Sequence, residues 1–102
     1  MPHVYLIHLS PALAHAKHYC GSTPNGVRKR MAKHKAGHGA RLTQAALEAG
    51  CQLRLARTWE LDTSHDARVL ERTLKNNHRL ADFCPICRRI TREPIIKARE
   101  VI

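Results

Sequence analysis

Acidic residues are scarce in this chain: 8 against 18 lysines and arginines over 102 residues, a formal charge of +10. Such an excess repels itself and is most simply explained by a polyanionic partner, nucleic acid first. Aromatics are scarcer still, with two tyrosines, one tryptophan and one phenylalanine. That is too few for the row of rings on which single-strand binders stack bases. The apolar stretch in MPHVYLIHLS is too short to span a bilayer and has no charged flank ahead of it. A leader peptide and a membrane-spanning helix are therefore not expected, and a cytoplasmic protein is. Nor is there a long basic amphipathic helix to lie on a membrane surface. Internal repeats and low-complexity tracts are missing, and the length fits one domain with a modest core.

Four cysteines are present, and without an export signal they read as thiols, not disulfides. Cys20 and Cys51 lie in strand-like runs and read as small buried hydrophobes. Only Cys84-Pro85-Ile86-Cys87 has metal-ligand spacing, and a tetrahedral zinc site needs four ligands. His78 would supply a third, and His3, His8, His15, His18, His38 and His65 have no spacing that builds a second metal site. The pair is therefore read as structural or incidental in preference to zinc. It also does not follow a strand and open a helix, as a redox pair would.

What is present has a clear order. Residues 3–9, HVYLIHL, read as a strand with Pro11 close behind; 10–16 read as a loop and 17–21 as a second, antiparallel strand. Pro24-Asn25-Gly26 is turn chemistry, with Thr23 or Asn25 available to cap a helix over 27–36 that Gly37 ends. Gly39 is read as keeping the next segment flexible. A light apolar face of Leu42, Ala45, Ala46 and Ala49 predicts a second helix closed by Gly50. CQLRLARTWEL alternates as a half-exposed strand with its basic residues outward. Asp62, Thr63 or Ser64 then caps a third helix over 65–76, with Ala67, Leu70 and Leu74 inward. From Asn77 the pattern fades into an irregular stretch; beyond it Pro94 breaks any long helix, leaving room for a late strand or short helix. The order β-β-α-α-β-α predicts a small α/β (α+β) domain on a central three-stranded antiparallel sheet.

The densest stretch is HYCGSTPNGVRKRMAKHKAGHGAR. Arg30 and His34 stand four apart, so on a helix they point at one spot. Together with His3-Val4-Tyr5, Tyr19-Cys20-Gly21 and the following HKAGHGARLT, this ordered set resembles the GIY-YIG nuclease family, in its small single-domain bacterial form. Val4 and Cys20 stand where the family usually has isoleucine, and His3 replaces its first glycine. The resemblance covers residues 1–87 as a nuclease-like domain and leaves 88–102 as an extension without an assigned role.

The resemblance implies a metal-dependent endonuclease acting on DNA, branched or damaged DNA included, with magnesium or manganese as cofactor. It assigns Tyr5, Tyr19, Arg30, His34 and Glu71 to catalysis and Glu71 to the metal. Taken alone, Glu71 and Lys75 at i,i+4 describe a solvated ion pair; with the motif set, Glu71 becomes the metal ligand. Arg30 would stabilise phosphoryl oxygens through its permanently charged fork. Tyr5, Tyr19 and His34 remain alternatives for the base. Lys29, Lys33, Lys35, His38 and Arg41 would contact nucleic acid, with Arg54, Arg57 and Arg72 adding to that surface; such contacts give affinity, not sequence reading. Asn76 and Asn77 stand near the place of a late family asparagine. With no attached domain, target choice would rest on DNA shape or a partner protein. The alternatives are a basic nucleic-acid-binding module without useful catalysis, and a zinc-stabilised adaptor built on Cys84 and Cys87.

Overall fold

The computed structural model describes residues 1–13, 16–77, 80–87 and 99–100. Strand β1 (His3–Leu13) lies between β2 (Ala16–Thr23) and β3 (Gln52–Glu60), antiparallel to both, and a two-residue strand β4 (Arg99–Glu100) pairs with Trp59 and Glu60 on the far edge of β3. The sheet order is β2-β1-β3-β4. Helices α1 (Val27–Lys35) and α2 (Arg41–Glu48) connect β2 to β3, and α3 (Ser64–Asn77) follows β3. The order β-β-α-α-β-α and the three-stranded antiparallel core match the expectation; β4 is the late strand.

β1 takes the centre because it is apolar on both faces. Val4 and Leu6 point to one side, Tyr5, Ile7 and Leu9 to the other, and none is more than 2% exposed. Alternation along a strand thus feeds two cores. On one face Tyr5, Ile7 and Leu9 pack with Met31, Ala46, Cys51 and Leu53, under α1 and α2. On the other, Val4, Leu6, Cys20 and Trp59 pack with Leu70 and Leu74 of α3 and with Phe83 and Cys84. Burial holds the Cys20 thiol up at about 12, an inert packing group as expected.

Several boundaries differ from the sequence reading. β1 continues to Leu13, so the expected loop over 10–16 is largely strand. Pro11 is tolerated because pairing with β3 ends at Ser10↔Gln52 and the ladder to β2 is interrupted between His8 and Leu13. In β3 the register shifts between Leu55 and Arg57, so Ala56 and Arg57 together oppose Leu6 and both turn toward the α3 core. Arg57, expected on the phosphate-contacting surface, is instead 1% exposed, its guanidinium 4.7 Å above the Trp59 ring and donating to the Phe83 carbonyl at 3.4 Å. A bulge cannot be read from alternation alone.

The start of α1 also differs, whereas the cap of α3 and the closing glycines of α1 and α2 are as expected. Gly26 is the N-cap of α1 and offers no side chain, while the Thr23 hydroxyl accepts the Asn25 N–H at 3.3 Å inside the turn. Thr63 serves α3, accepting from Asp66 N–H at 3.1 Å. Helices α1 and α2 end in the same bond pair: Gly37 N–H to His34 and His38 N–H to Lys33, then Gly50 N–H to Leu47 and Cys51 N–H to Ala46, with positive φ at both glycines. On α2 the buried side chains are Thr43 and Ala46, whereas Ala45 and Ala49 face solvent. The stretch after α3 forms two 3-10 turns, Leu80–Phe83 and Pro85–Cys87. These bring Cys84 and Cys87 against His8 and His18, a convergence that sequence spacing hid. His15 and His78 lie outside the described residues. Among those described, no helix is long and apolar enough to cross a membrane.

Candidate active site

The register pairs Tyr5 with Gly21 and Ile7 with Tyr19, so both tyrosines leave the β1–β2 ladder on the α1 side. Gly21 has to be glycine here. A Cβ on it would lie 2.6 Å from the Tyr5 hydroxyl and 3.0 Å from the Tyr19 ring. With that space open, the Tyr5, Tyr19 and His34 rings gather, centroids 6.3, 5.7 and 5.3 Å apart in the pairs Tyr5–Tyr19, Tyr5–His34 and Tyr19–His34.

The α1 helix delivers Arg30 and His34 one turn apart onto this cluster. The Tyr5 hydroxyl lies 2.8 Å from His34 Nε2, and His34 Nδ1 lies 2.8 Å from the Thr43 hydroxyl. Thr43 donates its proton to the Ala40 carbonyl at 2.9 Å. Its oxygen therefore accepts from Nδ1–H, which leaves Nε2 as the lone-pair nitrogen that accepts from Tyr5 O–H. Arg30 Nε–H in turn donates to the Tyr5 oxygen at 3.3 Å. The chain of bonds has one direction, from Arg30 through Tyr5 and His34 to Thr43.

Its electrostatics agree. Burial, then the Arg30 cation, hold His34 below the ordinary imidazole value, so the ring is neutral at neutral pH. Burial raises Tyr5 despite the opposing bond from Arg30, and raises Tyr19 despite the nearby Lys75. Both phenols hold their protons at rest. Gly39 presses on the back of His34, where a Cβ would clash with Nδ1. The glycine expected to give flexibility is instead a close-packing position.

Glu71 approaches from the other face of the sheet, around the edge strand β2. Ser22 follows Gly21 and so points the opposite way, toward α3, where its hydroxyl donates to Glu71 Oε1 at 2.5 Å. Lys75 Nζ sits 2.7 Å from Oε2 and 5.9 Å from the centre of the Tyr19 ring. Glu71 lines an open cavity of about 280 Å³ with Arg68, Arg72, Lys75 and Asn76. A second cavity carries Arg68 on to Ser22, Thr23 and Pro24, and a third runs from Thr23 and Pro24 past the uncapped start of α1 to Lys29, Arg30 and Lys33. Shared walls make these one basic track along β2.

Tyr5, Tyr19, Arg30, His34 and Glu71 thus come together around β2. Lys29 and Lys33 line the track beside Arg30; Lys35, His38 and Arg41 are exposed but do not line it. Asn76 stands in the Glu71 cavity, and the Asn77 side chain lies outside the described set. Sequence reasoning missed Thr43, Ser22 and Arg68. Arg68 carried a usable signal, standing three before Glu71 on the same helix. Ser22 carried another in its alternation with Gly21, and Thr43 carried none. A family model, the GIY-YIG catalytic domain, matches residues 1–82. No curated protein and no solved structure matches.

Proposed function

The chain belongs to the GIY-YIG family, a family of nucleases, and on that premise we propose that it is a metal-dependent endonuclease hydrolysing phosphodiester bonds in DNA. The observation that carries this reading is the directed chain from Arg30 through Tyr5 and His34 to Thr43, with a carboxylate across the same strand edge. Tyr5 takes the proton of the attacking water while passing its own to the lone pair on His34 Nε2. Because both phenols are held neutral, the two transfers belong to one step, and no free phenolate is needed beforehand. The water oxygen bonds to phosphorus and the bond to the leaving sugar oxygen breaks. Arg30 donates to the hydroxyl of the fully buried Tyr5; turning its guanidinium onto a phosphate would free that oxygen and stabilise phosphoryl charge. Tyr19, half-buried at the sheet edge, borders the water's position.

The residues fit a hard divalent cation. Glu71 offers one carboxylate with the Ser22 oxygen beside it and an open cavity for waters, which suits magnesium or manganese. The Lys75 ammonium at 2.7 Å marks where positive charge is favoured, and at 49% side-chain exposure it can swing away. A cation there would neutralise phosphoryl charge and assist the leaving oxygen. Phosphates would run along the track through Arg68, Arg72, Lys29 and Lys33, with the N-terminus of α1 among them. Lys35, His38 and Arg41 extend the contact surface. Target choice would then rest on branched or damaged DNA shape, or on a partner protein.

The test is incubation of the purified chain with plasmid, branched and single-stranded DNA, with magnesium, with manganese and with chelator. Metal-dependent cutting of any of them is expected. Salt-sensitive binding without cutting under every metal condition would contradict the reading.

A further inference from the structure

On the α3 side of the sheet, away from the tyrosines, four side chains aim at one point. His8 and His18 face each other as a register pair across β1 and β2, Nδ1 to Nε2 3.3 Å apart. Cys84 Sγ and Cys87 Sγ each lie 3.6 Å from His8 Nδ1, and Cys87 Sγ lies 3.4 Å from His18 Nε2. All four ligand atoms fall within 4.8 Å of one another. We propose that His8, His18, Cys84 and Cys87 form a structural zinc site, separate from the catalytic centre.

The spacing of these donors suits a tetrahedral ion. Zinc binds sulfur at about 2.3 Å and imidazole nitrogen at about 2.0–2.1 Å. Tetrahedral angles then put sulfur and nitrogen roughly 3.5–3.6 Å apart and two nitrogens roughly 3.3–3.4 Å apart. Four of the six separations follow that pattern, and the other two, from Cys84 Sγ to His18 Nε2 and to Cys87 Sγ, stay within 4.8 Å, so all four donors converge on one point. The donor set is also soft and closed, with no position left over for substrate, as a structural centre requires. Binding would release the two thiol protons and leave a neutral centre of two thiolates and one dication, an acceptable charge for a site whose Cys84 is fully buried.

The need for such a centre is visible in the chain around it. After α3, residues 80–87 make only short turns, closed by Cys84 N–H to Ala81 and Cys87 N–H to Cys84. Yet Phe83 and Cys84 are part of the α3-side core, with Ile86 packed against it. A metal would pin this irregular segment to the β1–β2 ladder. The site lies three residue pairs along that ladder from Tyr5 and Gly21, roughly 10 Å, and on the opposite face.

The test uses the full chain, reduced and purified without added metal. Elemental analysis should find one zinc per chain, and stripped protein titrated with Co2+ should give the visible bands of tetrahedral cobalt together with thiolate-to-cobalt charge transfer. Chelator should lower the Tm. Cys87→Ser and His18→Gln, both at half-buried positions, should lose the stoichiometric zinc, whereas Glu71→Gln should keep it. Absence of zinc with no tetrahedral cobalt spectrum would overturn the proposal, as would a cobalt spectrum without thiolate bands. Undiminished zinc in both ligand variants, or a Cys84–Cys87 disulfide whose reduction yields no metal binding, would overturn it equally. The wild-type cobalt spectrum reports on the ligands even if a variant fails to fold.

Discussion

The proton of the Thr43 hydroxyl sets the direction of everything upstream of it. Because it is committed to the Ala40 carbonyl, His34 is held with its lone pair toward Tyr5. Thr43→Val should leave a buried N–H unpaired, costing about 1–3 kcal/mol of stability, and should lower kcat more than it raises KM; Thr43→Ser should restore both. A Val variant with unchanged kcat would remove the relay. The pH dependence follows from the same residue. A protonated His34 cannot take the Tyr5 proton, so cleavage rises with pH through the His34 pKa and is level above it. Burial and Arg30 lower that pKa, so the acid limb should have its midpoint below 6.5 in a single-turnover pH profile. The groups facing His34 are Tyr5, Tyr19, Arg30 and Thr43, of which the two phenols titrate on the alkaline side. His34→Ala should cost roughly 10²–10⁴-fold in rate and abolish this limb; an acid limb kept in that variant would assign it elsewhere.

Elements decide how much of this was legible. Arg30 and His34 could be read together because helical spacing is local, and Tyr5 with Tyr19 because the resemblance matches both to its two strand motifs. Glu71 followed from the family resemblance, since on its own it reads as a solvated i,i+4 partner of Lys75. What could not be read depends on contacts between elements. The bulge in β3 turned Arg57 from surface to core, Gly39 met His34 only after α2 folded back on α1, and His8 and His18 joined only through strand register. Two outcomes test those assignments. Gly39→Ala should displace His34 and reduce cleavage by roughly 10²-fold or more, with about 1–3 kcal/mol of overpacking strain. Arg57→Ala should drop the Tm by more than about 5 °C and leave DNA affinity of the folded protein unchanged; the reverse pattern would return Arg57 to the binding surface.

At the scale of the whole molecule, the chain carries a charge of +10 on 102 residues, and most of the described lysines and arginines take exposed positions where that charge is solvated, several of them along one edge of the sheet. Composition alone pointed to a polyanion, while the path proposed for it rests on the track that joins Arg68 and Arg72 on α3 to Lys29 and Lys33 on α1. Each of Arg68→Ala and Lys33→Ala should lower the salt slope of DNA binding by about 1, measured by titration at several ionic strengths. The central claim, that Glu71 completes a metal-dependent nuclease around this edge, is tested most directly by Glu71→Gln beside the wild type, with cleavage and DNA binding measured on the same preparations in magnesium. The account expects a variant that folds and binds DNA as the wild type does but does not cut. A Glu71→Gln protein that still cuts at the wild-type rate would contradict it.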